Sequence, residues 1–403
     1  MHTRESPVIL LVAEAVTLAH FARVATLARA LADCPYRVVV AADTRYAALE
    51  PAGTLDIRPI RSVSGAEFND ALARGKPLYD EATLAAYVEE DLDLIDRVRP
   101  DLVVGDFRLS LAVSAPLRRV PYAAVVNAYW SPYADTRYPV PDLPVTRLVG
   151  TGLGQRLFDL ARPLAFALHA RPLNRVRRRF GLPALGHDLR RSYTWGDHTL
   201  YADVPEVIPT RALPASHRYL GPVLWSTHTR LPDWWDKLPR DRPVVCVTLG
   251  SSGRSDFLPE ILRSLAELPV TVIAATLGKE AMPGLPANVF VADYLPLAAA
   301  LGRSNLLVCN GGSLSTYQAM ASGVPVVGLC SNLDQLLNMD AVARLGCGVS
   351  LRAGGLASSV LRGAARALLD SPGPTQAARR MGRVLEGYDS GQRFRDAVAD
   401  MLR

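Results

Sequence analysis

The chain has 403 residues, 49% hydrophobic and 21% charged, with a formal net charge of +6. That composition can fill a large core and excludes extensive disorder, while the length exceeds one ordinary domain and points to two. The positive excess is mild and almost all arginine, so it fits an anionic small ligand or a membrane surface and does not by itself imply nucleic acid.

In chain order, residues 8–12 read as a first buried strand. The loop "AEAVTLA" (13–19) then leads to a helix that begins at His20. Further strands are expected at 37–42, 55–60, 102–106 and 122–127, separated by helical patterns such as 21–32 and 84–98. From Asp135 to Arg191 the rhythm breaks into what read as short helices crowded with Arg171, Arg175, Arg177, Arg178, Arg179, Arg190 and Arg191. The plain reading is a solvated helix face; a patch for an anionic acceptor or a membrane surface stays open. Residues 222–242 hold Pro222, Pro232 and Pro239 with few periodic apolar positions, which reads as a linker. Strands then resume at 244–249, 270–276, 289–294, 306–309 and 324–329. Alternating strands and helices are the signature of parallel βαβ construction, so the expected class is α/β with two Rossmann-like domains.

No apolar run reaches the roughly 18 residues needed to span a bilayer, though peripheral membrane contact stays possible. The N-terminus does not read as a signal peptide. Five cysteines (Cys34, Cys246, Cys309, Cys330, Cys347) show no pairing or metal-ligand spacing, which favours a reducing, cytoplasmic setting. Oligomeric state is not legible.

The densest chemistry lies in "CNGGSLSTYQAMASGVPVVGLCSNLDQ", residues 309–335. It reads as strand, tight turn, helix and strand, with Gly311, Gly312 and Ser313 making the turn and Gly323 and Pro325 stopping the helix. Backbone N–H groups and the positive helix end at such a turn make a seat for phosphate. Ligands in open α/β sheets sit beyond the carboxyl ends of strands, where Asp334 and Gln335 could bind hydroxyls of what the phosphate carries. A second small-residue turn, "VTLGSSG" (247–253), makes a diphosphate the better fit.

In the first half, His20 and Asp106 both fall at carboxyl ends of strands in one sheet. A hydroxyl nucleophile needs a general base, and a histidine oriented by a buried carboxylate supplies one. The aromatic stretch "NAYWSPYADTRYP" (127–139), with Tyr129, Trp130 and Tyr133, suits either the wall of an apolar acceptor site or domain packing. No DxD, HExxH or histidine cluster is present, so no metal site is expected.

The chain resembles the GT-B glycosyltransferases, in particular family 1. The family's W-x-P-Q, H-x-G-x-x-S-x-x-E, G-V-P and D-Q elements correspond to "YLPL", "NGGSLSTYQ", "GVP" and "DQ", without gaps from Asn310 to Gln335. The resemblance implies two Rossmann-like domains facing across a cleft. Residues 1–221 would bind the acceptor, 243–380 the nucleotide sugar, and 381–403 would form a helix crossing back to the first domain. It also implies that Tyr294 stacks on the base, that Gly312, Ser313 and Ser315 hold the pyrophosphate with Ser251 nearby, that Gln318 takes the ribose position, and that Asp334 and Gln335 hold the sugar. Asn310 stands where the family has histidine and Gln318 where it has glutamate; an amide can donate but cannot become cationic. His20 and Asp106 match the family's catalytic pair.

The expected function is therefore inverting, metal-independent transfer of a sugar from a UDP- or dTDP-sugar to a hydroxyl of a small, apolar or aromatic acceptor. No further cofactor and no nucleic-acid partner are expected. A nucleotide-sugar epimerase of the same architecture and a non-catalytic nucleotide- or partner-binding protein are the alternatives.

Overall fold

In the computed structural model the described residues are 6–51, 53–141, 144–227, 229–251, 255–276, 278 and 284–403. They divide into two compact units: Met1–Thr136 with Arg147–Val223 and Tyr388–Arg403, and Arg137–Thr146 with Leu224–Gly387.

The first unit is built on seven parallel strands: β1 (Val8–Ala13), β2 (Arg37–Ala42), β3 (Ile57–Pro59), β4 (Leu102–Asp106), β5 (Tyr122–Val126), β6 (His198–Tyr201) and β7 (His217–Tyr219). Their order is β3-β2-β1-β4-β5-β6-β7. Its helices are α1 (Leu18–Ala30), α2 (Gly65–Ala73), α3 (Glu81–Val98), α4 (Leu111–Arg118), α5 (Pro144–Arg179, whose first residues belong to the second unit) and α6 (Leu189–Tyr193). Strand β1, VILLVA, has apolar residues on both faces because helices cover both sides of a parallel sheet. Leu11 lies between Val40 and Val104 in register. The chain leaves β1 to build outward through β2 and β3, then returns to place β4 on β1's other side. That reversal makes the β1/β4 boundary the crevice where ligands bind in such sheets.

The second unit has six parallel strands: β8 (Val244–Thr248), β9 (Thr271–Ala275), β10 (Val289–Ala292), β11 (Leu306–Cys309), β12 (Val326–Cys330) and β13 (Gly348–Arg352). Their order is β10-β9-β8-β11-β12-β13, so the crevice falls between β8 and β11. Its helices are α7 (Leu258–Ala266), α8 (Leu297–Gly302), α9 (Ser313–Ala321), α10 (Leu333–Arg344), α11 (Ser358–Asp370) and α12 (Pro372–Glu386). The last helix, α13 (Ser390–Met401), is part of the first unit, where Phe394, Ala397 and Val398 are buried in one core cluster with Phe21, Val24 and Leu27 of α1.

Two features differ from the sequence expectations. Much of the region read as short helices is α5, two helical segments that meet in a kink at Gly150 (φ 75°, ψ 165°), the second running on to Arg179. Strands β6, β7 and β13 went unread, and the strand expected at 55–60 shrinks to three residues. In the stretch read as a linker, 222–242, the unit boundary falls at Val223/Leu224, Trp235 is buried, and Trp234 Nε1–H donates to Val291 O at 3.0 Å. No described helix is long and apolar enough to cross a membrane.

Candidate active site

In the first unit, His20 is the third residue of α1 and Asp106 ends β4, at the β1/β4 crevice. His20 Nδ1 lies 2.7 Å from Asp106 Oδ1. A carboxylate only accepts, so Nδ1 carries the proton and Nε2 keeps its lone pair. Phe107 turns at φ 60°, a rare conformation for a bulky residue, and its ring stacks under the imidazole at 5.0 Å and 8°. One helical turn on, Arg23 grips the same carboxylate with a two-pronged fork, Nε to Oδ2 at 2.6 Å and Nη2 to Oδ1 at 2.9 Å. Arg23 Nη2 also approaches His20 Nδ1 to 3.0 Å, but both are donors, so that contact is not a hydrogen bond once Nδ1 is protonated. Arg23 Nη1 donates to Asn127 Oδ1 at 2.7 Å, and Asn127 Nδ2 donates to Asp203 Oδ2 at 3.1 Å.

Charge states follow from this packing. Burial by itself raises the Asp106 carboxyl, but the charge of Arg23, helped by His20, outweighs burial and holds it below the usual carboxylate range. For Arg23, burial works against the cation and Asp106 more than reverses it. The pair is therefore an ionised carboxylate and a guanidinium, sealed from water at 1% and 6% exposure.

In the second unit, β11 runs into Asn310, whose Oδ1 accepts from the Gly312 N–H at 3.1 Å. Gly311 sits at φ 81°, and a Cβ there would lie 2.7 Å from Met339 Cγ and 2.8 Å from Cys330 Sγ, so only glycine fits. Gly312 is the N-cap of α9 and has no side chain with which to cap that helix's first-turn N–H groups. Asn338, from α10, pins the turn by donating to Gly311 O at 2.8 Å and Thr316 Oγ1 at 2.9 Å. At the start of α10, Asn332 Oδ1 accepts from the Gln335 N–H, and Gln335 Oε1 accepts from Ser331 N–H and O–H. Gln335 is 2% exposed, yet its Nε2 has no acceptor among the described residues. Such an orphaned donor costs ~1–3 kcal/mol unless something else accepts from it.

The family described as "Erythromycin biosynthesis protein CIII-like, C-terminal domain" matches residues 259–385. A "PGL/p-HBAD biosynthesis rhamnosyltransferase" of Mycobacterium bovis strain BCG is 54% identical over 93% of this chain and 83% of its own. The chain belongs to the family 1 glycosyltransferases of the GT-B fold. A "PGL/p-HBAD biosynthesis glycosyltransferase" of Mycobacterium tuberculosis is 50% identical to it over 93% of this chain and 87% of its own. Among solved structures, "Spinosyn Rhamnosyltransferase SpnG complexed with thymidine diphosphate" shares the glycosyltransferase's fold at TM-score 0.67 and 19% identity, covering 94% of this chain and 96% of that one.

The remaining residues singled out in the sequence are distributed unevenly. Ser313, Ser315 and Asp334 sit half-buried in the first turns of α9 and α10, and Ser251 lies at the end of the β8 loop, whose Ser252 and Gly253 fall outside the described residues. Tyr294 is half-buried after β10. Gln318 is buried and lays its amide along its own helix, Nε2 to Leu314 O at 3.4 Å. Of the aromatic stretch, Tyr129 is fully buried, while Trp130, 9% exposed, packs edge-on against Tyr193 at 5.0 Å. Tyr133 packs edge-on against His217. Among the described residues no group of three or more His, Cys, Asp or Glu is placed to hold a metal ion.

Sequence reasoning missed Arg23, Asn127 and Asp203. One signal was present: Asn127 directly follows the apolar strand β5, and Asp203 comes two residues after the neighbouring β6. Next to Asp106 in the chain's fold lies a second unforeseen network, joined to it through Glu14. Buried Arg108 donates to Glu14 at 2.9 Å, to Asp91 at 3.0 Å and to Glu90 at 2.9 Å, and lies 3.8 Å over the Tyr87 ring. Burial raises both Glu14 and Asp91 despite Arg108, and the Glu14 N–H donates to Asp106 O, tying the network to the end of β4.

Proposed function

We propose that this glycosyltransferase transfers sugar by direct, inverting displacement, with His20 as general base and Asp106 as its orienting carboxylate. The observation that carries the reading is the 2.7 Å contact from Nδ1 to an ionised, buried Asp106, which leaves Nε2 as the basic nitrogen. His20 Nε2 takes the acceptor hydroxyl's proton. The acceptor oxygen then bonds to the anomeric carbon while the bond from that carbon to the diphosphate oxygen breaks, and the diphosphate leaves with the electron pair. In this reading its charge is received by the first-turn N–H groups of α9 and by the Gln335 amide, so that no metal ion is required.

The donor we propose is a nucleoside-diphosphate sugar of the dTDP or UDP type, with rhamnose the sugar to try first. Two things support it: the relative named as a rhamnosyltransferase at 54% identity, and the similarly folded protein described with thymidine diphosphate. For the acceptor we propose a hydroxyl on a small apolar or aromatic molecule, with Trp130 and Tyr193 beside His20 through Phe107. Five free cysteines fit a reducing, cytoplasmic setting.

The test is turnover of dTDP-rhamnose and UDP-sugars with a panel of phenolic acceptors, with and without EDTA, reading the product's anomeric configuration by NMR. His20→Ala should lower kcat by ~100- to 10,000-fold with donor binding kept. Retained turnover in that variant, or product with the donor's own anomeric configuration, would overturn the base assignment.

A further inference from the structure

Helix α5 carries a surface that the transfer reaction does not use. Leu153, Leu157, Leu160, Leu164 and Leu168 follow one another at spacings of four, three, four and four, so they fall on one line along the helix. All five face solvent, at 53%, 48%, 83%, 66% and 49% exposure. Leucines so placed normally turn inward; on this helix the inward face is instead formed by Phe166, Ala170, Leu173 and Val176.

The same line continues into charge. Arg171, Arg175 and Arg178 extend it at spacings of three, four and three, and all three are exposed. Arg175 is paired with Glu81, but among the described residues Arg171, Arg178 and the adjacent Arg179 meet no carboxylate. Between Gly150 and Arg179 the only acidic residue is Asp159. The surface is therefore an apolar stripe with a cationic continuation, on a chain of net charge +6.

We propose that this face of α5 docks on an anionic lipid bilayer, the leucines entering the boundary between headgroups and acyl chains and the arginines meeting lipid phosphates. Hydrophobic and electrostatic terms then act together on one helix lying in the interface plane. A second copy of the chain fits less well. The stripe offers on the order of 500 Å² of leucine surface, short of the ~800 Å² per partner of a standard stable interface. Two copies aligned in parallel would also bring arginines against arginines. This docking does not rest on the proposed reaction and would stand if that reading failed.

The test is flotation of the full chain with vesicles of phosphatidylcholine alone and of phosphatidylcholine with phosphatidylglycerol, at low and high salt. Binding is expected to the anionic vesicles and to weaken in high salt. Leu160→Gln with Leu164→Gln removes apolar surface without touching charge, and should weaken partitioning by roughly tenfold or more. Arg171→Gln with Arg178→Gln should reduce binding to the level seen on neutral vesicles. All four positions are exposed, so an unchanged thermal midpoint checks that the variants fold. Failure of the wild type to float with anionic vesicles would overturn the proposal, as would equal flotation by the leucine variant. A lipid-free dimer that the leucine variant converts to monomer would overturn it in favour of a second copy.

Discussion

Replacing Arg23 by methionine tests the charge arrangement around the proposed base most directly. The change keeps an unbranched apolar stem but takes from Asp106 two of the hydrogen bonds it accepts, at 2.6 and 2.9 Å, and from Asn127 its donor at 2.7 Å. What remains is a carboxylate at 1% exposure with, among the described residues, His20 alone to answer it. Breaking a buried pair from one side costs ~3–5 kcal/mol, which for a unit of this size lowers its Tm by about 6–20 °C. The loss should depend on pH. In the wild type, Asp106 titrates below its unfolded value, so its contribution is fully present above pH ~4 and is lost only as pH falls through the folded value. In Arg23→Met, burial is no longer outweighed, the folded value rises above the unfolded one, and the penalty shrinks as pH falls toward ~4. Calorimetry at pH 8 and pH 5 should therefore show a larger Tm deficit at pH 8. Adding Asp106→Asn should recover at least half of that deficit, because an amide needs no counter-charge. A deficit equal at both pH values, or no recovery in the double variant, would refute the ion-pair reasoning.

Two further outcomes follow from the second unit. Gly311→Ala places a Cβ against Met339 and Cys330 at positive φ, and should cost about 3 kcal/mol in thermal unfolding; Gly302→Ala, with nothing within 4 Å, should be neutral or slightly stabilising. Equal effects at the two glycines would mean that the turn tolerates a side chain. Gln335→Glu keeps the oxygen that Ser331 uses but replaces the orphaned donor by an acceptor, so it should raise the donor KM by ~5- to 150-fold. An unchanged donor KM would remove Gln335 from the site.

What the sequence disclosed depended on how each element is buried. Strands such as β1 and β12 are covered on both faces and therefore appear as unbroken apolar runs. Strands β7 and β13 lie at sheet edges, where only one neighbour needs matching and half-buried polar residues are tolerated, as in HRY and GVSLR. In helix α5 the break falls at Gly150, while Pro163 and Pro172 both lie inside the segment that continues to Arg179. Its leucines defeat the usual inference as well, since their periodicity is that of a buried face and they are exposed.

The site divides along the same physical lines. The Gly311–Gly312 turn was legible because its requirements are local: a positive φ, a close approach to α10 and a glycine-capped helix end all lie between Gly311 and Met339. His20 and Asp106 were legible because each closes a recognisable strand or begins the helix after one. Arg23 was not, because an arginine on an amphipathic helix ordinarily snorkels to solvent. Its burial is caused by Asp106 and Asn127, which lie 83 and 104 residues away and reach it only because β4 and β5 are neighbours in the sheet. The same logic bears on Asn310. In place of the family's histidine it accepts the Gly312 N–H through Oδ1, so its amide shapes the turn and brings no charge to it. In the proposed reading, positive potential at that loop comes from the helix end itself, so donor binding should depend on the strictness of the glycine turn rather than on the residue at 310.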